Sequence, residues 1–237
     1  MIAIWQIFHQ NAMLSNPYAK QDSLDYNPLN RLLYSAAYPL AIGFARLRVT
    51  PNQVTGLSCF MSAIAGYAMI QGSPWMFVCA WTLALLLDYC DGTVARMTGS
   101  VSQTAFRFDH TSDLIKVSGI LICVALGYES TVMWIVASGA AIAFLVYNSL
   151  NLELKVARER HSKSTASEGN KVTLSTLAGW WRISRTTLLA VNGHTLLFFL
   201  FTAIDVHWAL LVCTHFAVIC LLGAAQRIAL LRQLPRG

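Results

Sequence analysis

Apolar positions dominate this chain in six runs, each long enough to cross a bilayer with tilt: 53–71, 74–94, 107–127, 131–151, 186–203 and 206–226. The polar positions between them fall into two unlike sets. The links Gln71–Pro74, Tyr128–Thr131 and Ala203–His207 are short and contain no Lys or Arg. The opposite ends carry Arg46, Arg48 and Arg96. They also carry Lys155, Arg158, Arg160, Lys163, Lys171, Arg182 and Arg185 in a long loop, and Arg227, Arg232 and Arg236 in the tail. Cations beside membrane spans collect on the cytoplasmic side. Both termini are therefore predicted to be cytoplasmic.

Residues 28–48 are bracketed by Arg31, Arg46 and Arg48, and Pro39 interrupts them, so a helix lying on the membrane surface is expected there. A seventh span is the alternative. Thr50-Pro51-Asn52 reads as a helix start, with Thr50 as N-cap and Pro51 in the first turn. Residues 1–27 read as a loosely ordered N-terminal extension, and the Ser/Thr/Lys/Gly-rich stretch 160–178 as a mobile loop. Gly66 and Gly72 are expected to serve helix packing. The predicted fold is all-α: one membrane domain over 28–237, with six transmembrane helices and a juxtamembrane surface helix.

Composition agrees with this class. Only 12% of the 237 residues are charged, against roughly 25% in a soluble domain. The mean hydropathy is +0.52. The net charge of +6 flanks the spans, so it is assigned to topology, and no nucleic-acid partner is expected. The six cysteines lie in or beside apolar runs without ligand spacing and read as small hydrophobes. The apolar start Met1–Trp5 lacks the basic region of a secretory signal.

Against this background Asp88, Asp91, Asp109 and Asp113 stand out, at or inside the ends of two apolar runs. A charge near hydrocarbon costs on the order of 2.5–3.5 kcal/mol and marks function by default. Asp88 and Asp91 are spaced i, i+3, and Asp109 and Asp113 i, i+4, so each pair shares a helix face. Carboxylates crowded together need cations, and hard oxygen ligands suit Mg²⁺, Mn²⁺ or Ca²⁺ rather than zinc. Lys116, one turn past Asp113, is placed to pair with an acidic group. The competing readings are a structural ion-pair network and an ion path in a transporter.

The residues Asp88, Asp91, Gly92, Ala95, Arg96, Asp109 and Asp113 follow the pattern D-x2-D-G-x2-A-R-x8-G-x3-D-x3-D. This resembles the CDP-alcohol phosphotransferase (CDP-alcohol phosphatidyltransferase) family. Ala105 departs from the pattern's glycine, which puts the fine donor geometry and the subfamily in question. The stretch Thr50-Pro-Asn-Gln-Val-Thr55 and the Arg182/Arg185 pair resemble the phosphatidylinositol-phosphate synthase type. Asp109-His110 resembles the choline and ethanolamine phosphotransferases.

The resemblance implies transfer of a phosphoalcohol group from a CDP-linked donor to a hydroxyl acceptor, with release of CMP, in phospholipid biosynthesis. It implies Mg²⁺ or Mn²⁺ in a two-metal site, with Asp88, Asp91 and Asp109 as core ligands. Asp113 is implied as second-site ligand and general base. Gly92, Arg96, Ser102 and the stretch Asn52, Gln53, Val54 and Thr55 are implied on the donor side, and Arg182 and Arg185 at an acceptor phosphate. CDP-diacylglycerol is the preferred donor, with CDP-choline-type transfer to diacylglycerol as the alternative. Membrane lipids and a homodimer are the other implied partners. An inactive CDP-lipid-binding relative is a further possibility, with Ala105 its one sign.

Overall fold

A computed structural model describes residues 17–18, 28–100, 103–165 and 193–233 of the chain. All regular structure in them is helical: α1 (Pro28–Arg46), α2 (Pro51–Ile70), α3 (Pro74–Met97), α4 (Gln103–Tyr128), α5 (Thr131–Thr165), α6 (Gly193–Leu197), a 3₁₀ segment (Phe198–Ala203) and α7 (Val206–Gln233). Among the described residues five helices are long and apolar enough to cross a membrane: Pro51–Ile70, Pro74–Thr98, Phe108–Tyr128, Thr131–Ala157 and Val206–Arg232. The chain is a polytopic membrane protein. The fifth run of the sequence pattern, 186–203, lies only partly within the described residues, which there form α6 and the 3₁₀ segment.

Local chemistry sets the helix starts. The Thr50 hydroxyl accepts from Gln53 N, and the Gln53 side chain accepts from Thr50 N, a capping box that closes two orphan donors of α2. Asp205 Oδ1 accepts from His207 N at 2.7 Å and Trp208 N at 3.0 Å, which caps α7. Gly72 has φ +61° with open space around it, so it serves the turn between α2 and α3 rather than packing.

Besides the role of Gly72, two expectations from the sequence are corrected. Pro39 does not interrupt α1, which is continuous from Pro28 to Arg46. Proline removes one helical hydrogen bond, but Ala37 and Ala41 on either side are fully buried against Leu87, Cys90 and Val94, and this packing carries the helix through. Nor is the segment that starts at Lys155 a loop from its beginning, and the stretch 160–178 read as a mobile loop starts inside a helix, since α5 runs to Thr165. Residues 152–160, Leu-Glu-Leu-Lys-Val-Ala-Arg-Glu-Arg, are mostly strong helix formers, and Leu154 is buried.

The long helices pack as a ring: α3 against α2, α2 against α4, α4 against α5, α5 against α7, and α7 through the 3₁₀ segment back to α3. Between apolar side chains and lipid tails there is no hydrophobic gain, so membrane helices associate through close packing and internal hydrogen bonds. Both are present. Ala65, Ala68, Ala84, Ala125, Ala137 and Ala140 line the contacts. A Cβ on Gly66 would lie 2.7 Å from Cys123 Sγ, and one on Gly127 would lie 2.5 Å from the Met69 carbonyl oxygen. Gly66 thus does serve packing. An aromatic chain crosses the ring: Trp81, Phe199, Phe216 and Phe144, with successive centroids 6.0, 5.1 and 5.5 Å apart. Trp81 Nε1 donates to the Leu196 carbonyl at 2.9 Å. Outside the ring, Phe60, Tyr67, Trp75, Ile122, Ile135, Ile142 and Leu211 are exposed, the surface that lipid would cover.

Candidate metal centre

The acidic residues lie where α3 and α4 face each other near α2. One carboxylate oxygen from each of Asp88, Asp91 and Asp109 falls within 4.8 Å of the others. Asp91 is buried; Asp88 and Asp109 are half-buried. The helical spacing read from the sequence thus brings three of the four carboxylates to one point. Asp113 stands beside them and is joined to them through a cation. Lys116 Nζ lies 2.8 Å from Asp113 Oδ1, forms an ion pair and hydrogen bond with Asp88, and donates to Ser58 Oγ at 3.3 Å. Lys116 is buried, and Asp113 keeps 42% of its side chain exposed against 25% for Asp88.

From α2 two hydroxyls meet this cluster. Thr55 Oγ1 donates to Asp91 Oδ2 at 2.6 Å and fixes that carboxylate. Ser58 Oγ donates to the Ala84 carbonyl at 2.9 Å and so turns its lone pairs toward Lys116. The donor set is oxygen throughout, with no His or Cys in the group, which suits a hard divalent ion. The Lys116 ammonium drawn against Asp88, one of these carboxylates, is a cation standing where cations are favoured. The residues fit the ion expected from the sequence.

Arg96, two turns past Asp88 on α3, frames the other side. A Cβ on Gly92 would lie 3.3 Å from Arg96 Nη1, so the bare Gly92 leaves room for the guanidinium. Arg96 sits 5.9 Å from the Tyr34 ring centroid on α1, and its Nε donates to the Tyr18 carbonyl. Its buried Nη2 has no hydrogen-bond partner among the described residues. Tyr34 packs edge-on against Tyr89 at 4.7 Å, and the Tyr89 hydroxyl donates to buried Asn30 at 2.9 Å. Through these contacts α1 holds the motif end of α3.

The stretch Asn52–Thr55 divides by function. Asn52 is exposed, Gln53 closes the cap, Val54 is buried in the small core beside α1, and Thr55 holds Asp91. Ser102, Arg182 and Arg185 lie outside the described residues, as does the side chain of Ala105 on α4. Sequence reasoning missed Ser58, Asn30, Tyr34 and Tyr18. The i, i+3 spacing of Thr55 and Ser58 was a usable signal for the first. Nothing local marked the other three, which come from distant parts of the chain.

A family model described as CDP-alcohol phosphatidyltransferase matches residues 48–218. That interval contains the whole acidic cluster, its lysine and its arginine, and the chain belongs to this family of membrane transferases of phospholipid biosynthesis. A curated relative, the archaetidylinositol phosphate synthase of Pyrococcus horikoshii, is 33% identical over 83 residues. The aligned part is 35% of this chain and 44% of the relative, so the match spans less than half of that protein.

Proposed function

We propose that this protein transfers a substituted phosphate group from a CDP-linked lipid, of the CDP-diacylglycerol kind, to a hydroxyl acceptor, releasing CMP at the cytoplasmic face of the membrane. The observation that carries the reading is the convergence of Asp88, Asp91 and Asp109 within 4.8 Å, beside Asp113 and inside the family segment.

Asp88, Asp91 and Asp109 would hold the divalent ion, Mg²⁺ or Mn²⁺. Bound there, it would neutralise the donor diphosphate and stabilise departing CMP. The remaining work falls to this chain's own groups. Thr55 keeps Asp91 oriented. Arg96 offers its free Nη2 to a donor phosphate oxygen. Asp113, the more exposed partner of Lys116, takes the proton of the acceptor hydroxyl. The acceptor oxygen then bonds to the lipid-side phosphorus, and the bond from that phosphorus to the CMP oxygen breaks.

Ser102 is assigned to the nucleotide side, and Arg182 and Arg185 to a phosphate on the acceptor. The relative's name supports a phosphorylated inositol as that acceptor. The positive ends of the spans support the cytoplasmic orientation.

CMP release by the purified protein in detergent tests this, with CDP-diacylglycerol, Mg²⁺ or Mn²⁺ and a panel of acceptors. Metal-dependent release that follows one acceptor and disappears in Asp113→Asn is the expected result. Release only with CDP-choline and diacylglycerol would move the protein to the other branch of the family. Silence with both donors from folded protein would overturn the transferase reading.

A further inference from the structure

Lys116 lies outside the acidic motif, yet it is the most fully engaged charge in the cluster. Its ammonium has three hydrogen-bond donors, and three acceptors meet it: Asp88 on α3, Asp113 on α4 and Ser58 on α2. The socket is built rather than incidental. Ser58 is itself anchored to the Ala84 carbonyl, both Lys116 and Ser58 are buried, and the three partners come from three helices. A long amphipathic side chain free to reach water would keep its head there. Here the head is turned inward.

That position matters for the metal count. A two-ion site places its ions roughly 3.5–4 Å apart, bridged by shared carboxylates. The second ion would need Asp113 together with a carboxylate of the first group, and Asp88 is the one that faces it. The Lys116 ammonium already bridges those two residues. A divalent ion on the same pair would displace the ammonium or sit against it, and like charges at that distance repel.

We propose that Lys116 serves as the second cation of this centre, so that the protein binds one divalent ion, on Asp88, Asp91 and Asp109, where the family resemblance implies two. Lys116 is then a positioning residue: it holds Asp88 toward the ion and Asp113 toward the acceptor. The inference rests on the divalent-ion part of the proposed function and needs no turnover to be tested.

The test is Mn²⁺ binding to the full chain in detergent, counted from the loss of the free-ion electron paramagnetic resonance signal. The wild type should take up about one tight ion per chain and Lys116→Met about two, while Lys116→Arg, which keeps the positive charge, should stay near one. Two tight ions on the wild type overturn the proposal, and that count stands even if Lys116→Met fails to fold. An unchanged count in folded Lys116→Met also overturns it. The proposed reaction fails separately, by absence of CMP release from protein that binds its one ion.

Discussion

Along α3, the stretch from Phe77 to Leu85 and the stretch from Asp88 to Arg96 share one helix but are held by different physics. In the first, Phe77, Ala80, Trp81, Ala84 and Leu85 are buried in the main core, and shape alone secures most of them. In the second, buried Asp91 is held by a hydroxyl, half-buried Asp88 by an ammonium, and half-buried Arg96 by an aromatic ring and a distant carbonyl. The first half spends nothing on charge and gains packing. The second crowds like charges, which costs stability and prepares a cation site. Stability and chemistry are thus separated along one helix, and substitutions should separate them too.

The largest effect belongs to the charged half. Asp91→Asn should lower CMP release by about 10³-fold, equivalent to roughly 4 kcal/mol of barrier. Its thermal midpoint should hold or rise, because one buried charge is gone. A midpoint that falls steeply would mean Asp91 is structural.

Phe77→Ala should do the reverse. The cavity costs roughly 3–4 kcal/mol, read as a lower thermal midpoint, with CMP release per folded molecule retained. Gly127→Ala drives a methyl toward the Met69 carbonyl oxygen and should cost about 1–3 kcal/mol on the same scale; a neutral result would show that α2 and α4 can part there.

Thr55→Val keeps the volume and removes the bond to Asp91. CMP release should fall about tenfold, or roughly 1.4 kcal/mol, with weaker Mn²⁺ binding and little change in midpoint. Thr50→Ala, at the α2 cap, should cost only about 1 kcal/mol of stability and leave the metal count untouched.

How much of this was legible in the chain depends on the range of each interaction. The capping box of Thr50 and Gln53, the facing pairs of aspartates and the reach of Lys116 follow from spacings of three or four residues, and the sequence discloses them. The course of α1 through Pro39 was misread because a local rule was applied without the packing of Ala37 and Ala41 that overrides it. The grip of Tyr34 and Tyr18 on Arg96, and of Asn30 on Tyr89, joins segments far apart in sequence and leaves no periodic trace. The same holds for Trp81 and the Leu196 carbonyl.

The glycine contacts between α2 and α4 reach further than packing. Gly66 against Cys123 and Gly127 against Met69 act as a keyway: at each contact there is no space for even one methyl group, so the two helices meet there in a fixed register. Asp109 sits about five turns along α4 from Gly127, and its carboxylate lies about 5 Å off the helix axis, so each few degrees of roll at the keyed end would shift it by about half an ångström. The compass bearing of the acidic cluster is therefore set at the opposite end of the helix, by two residues that have no side chain at all.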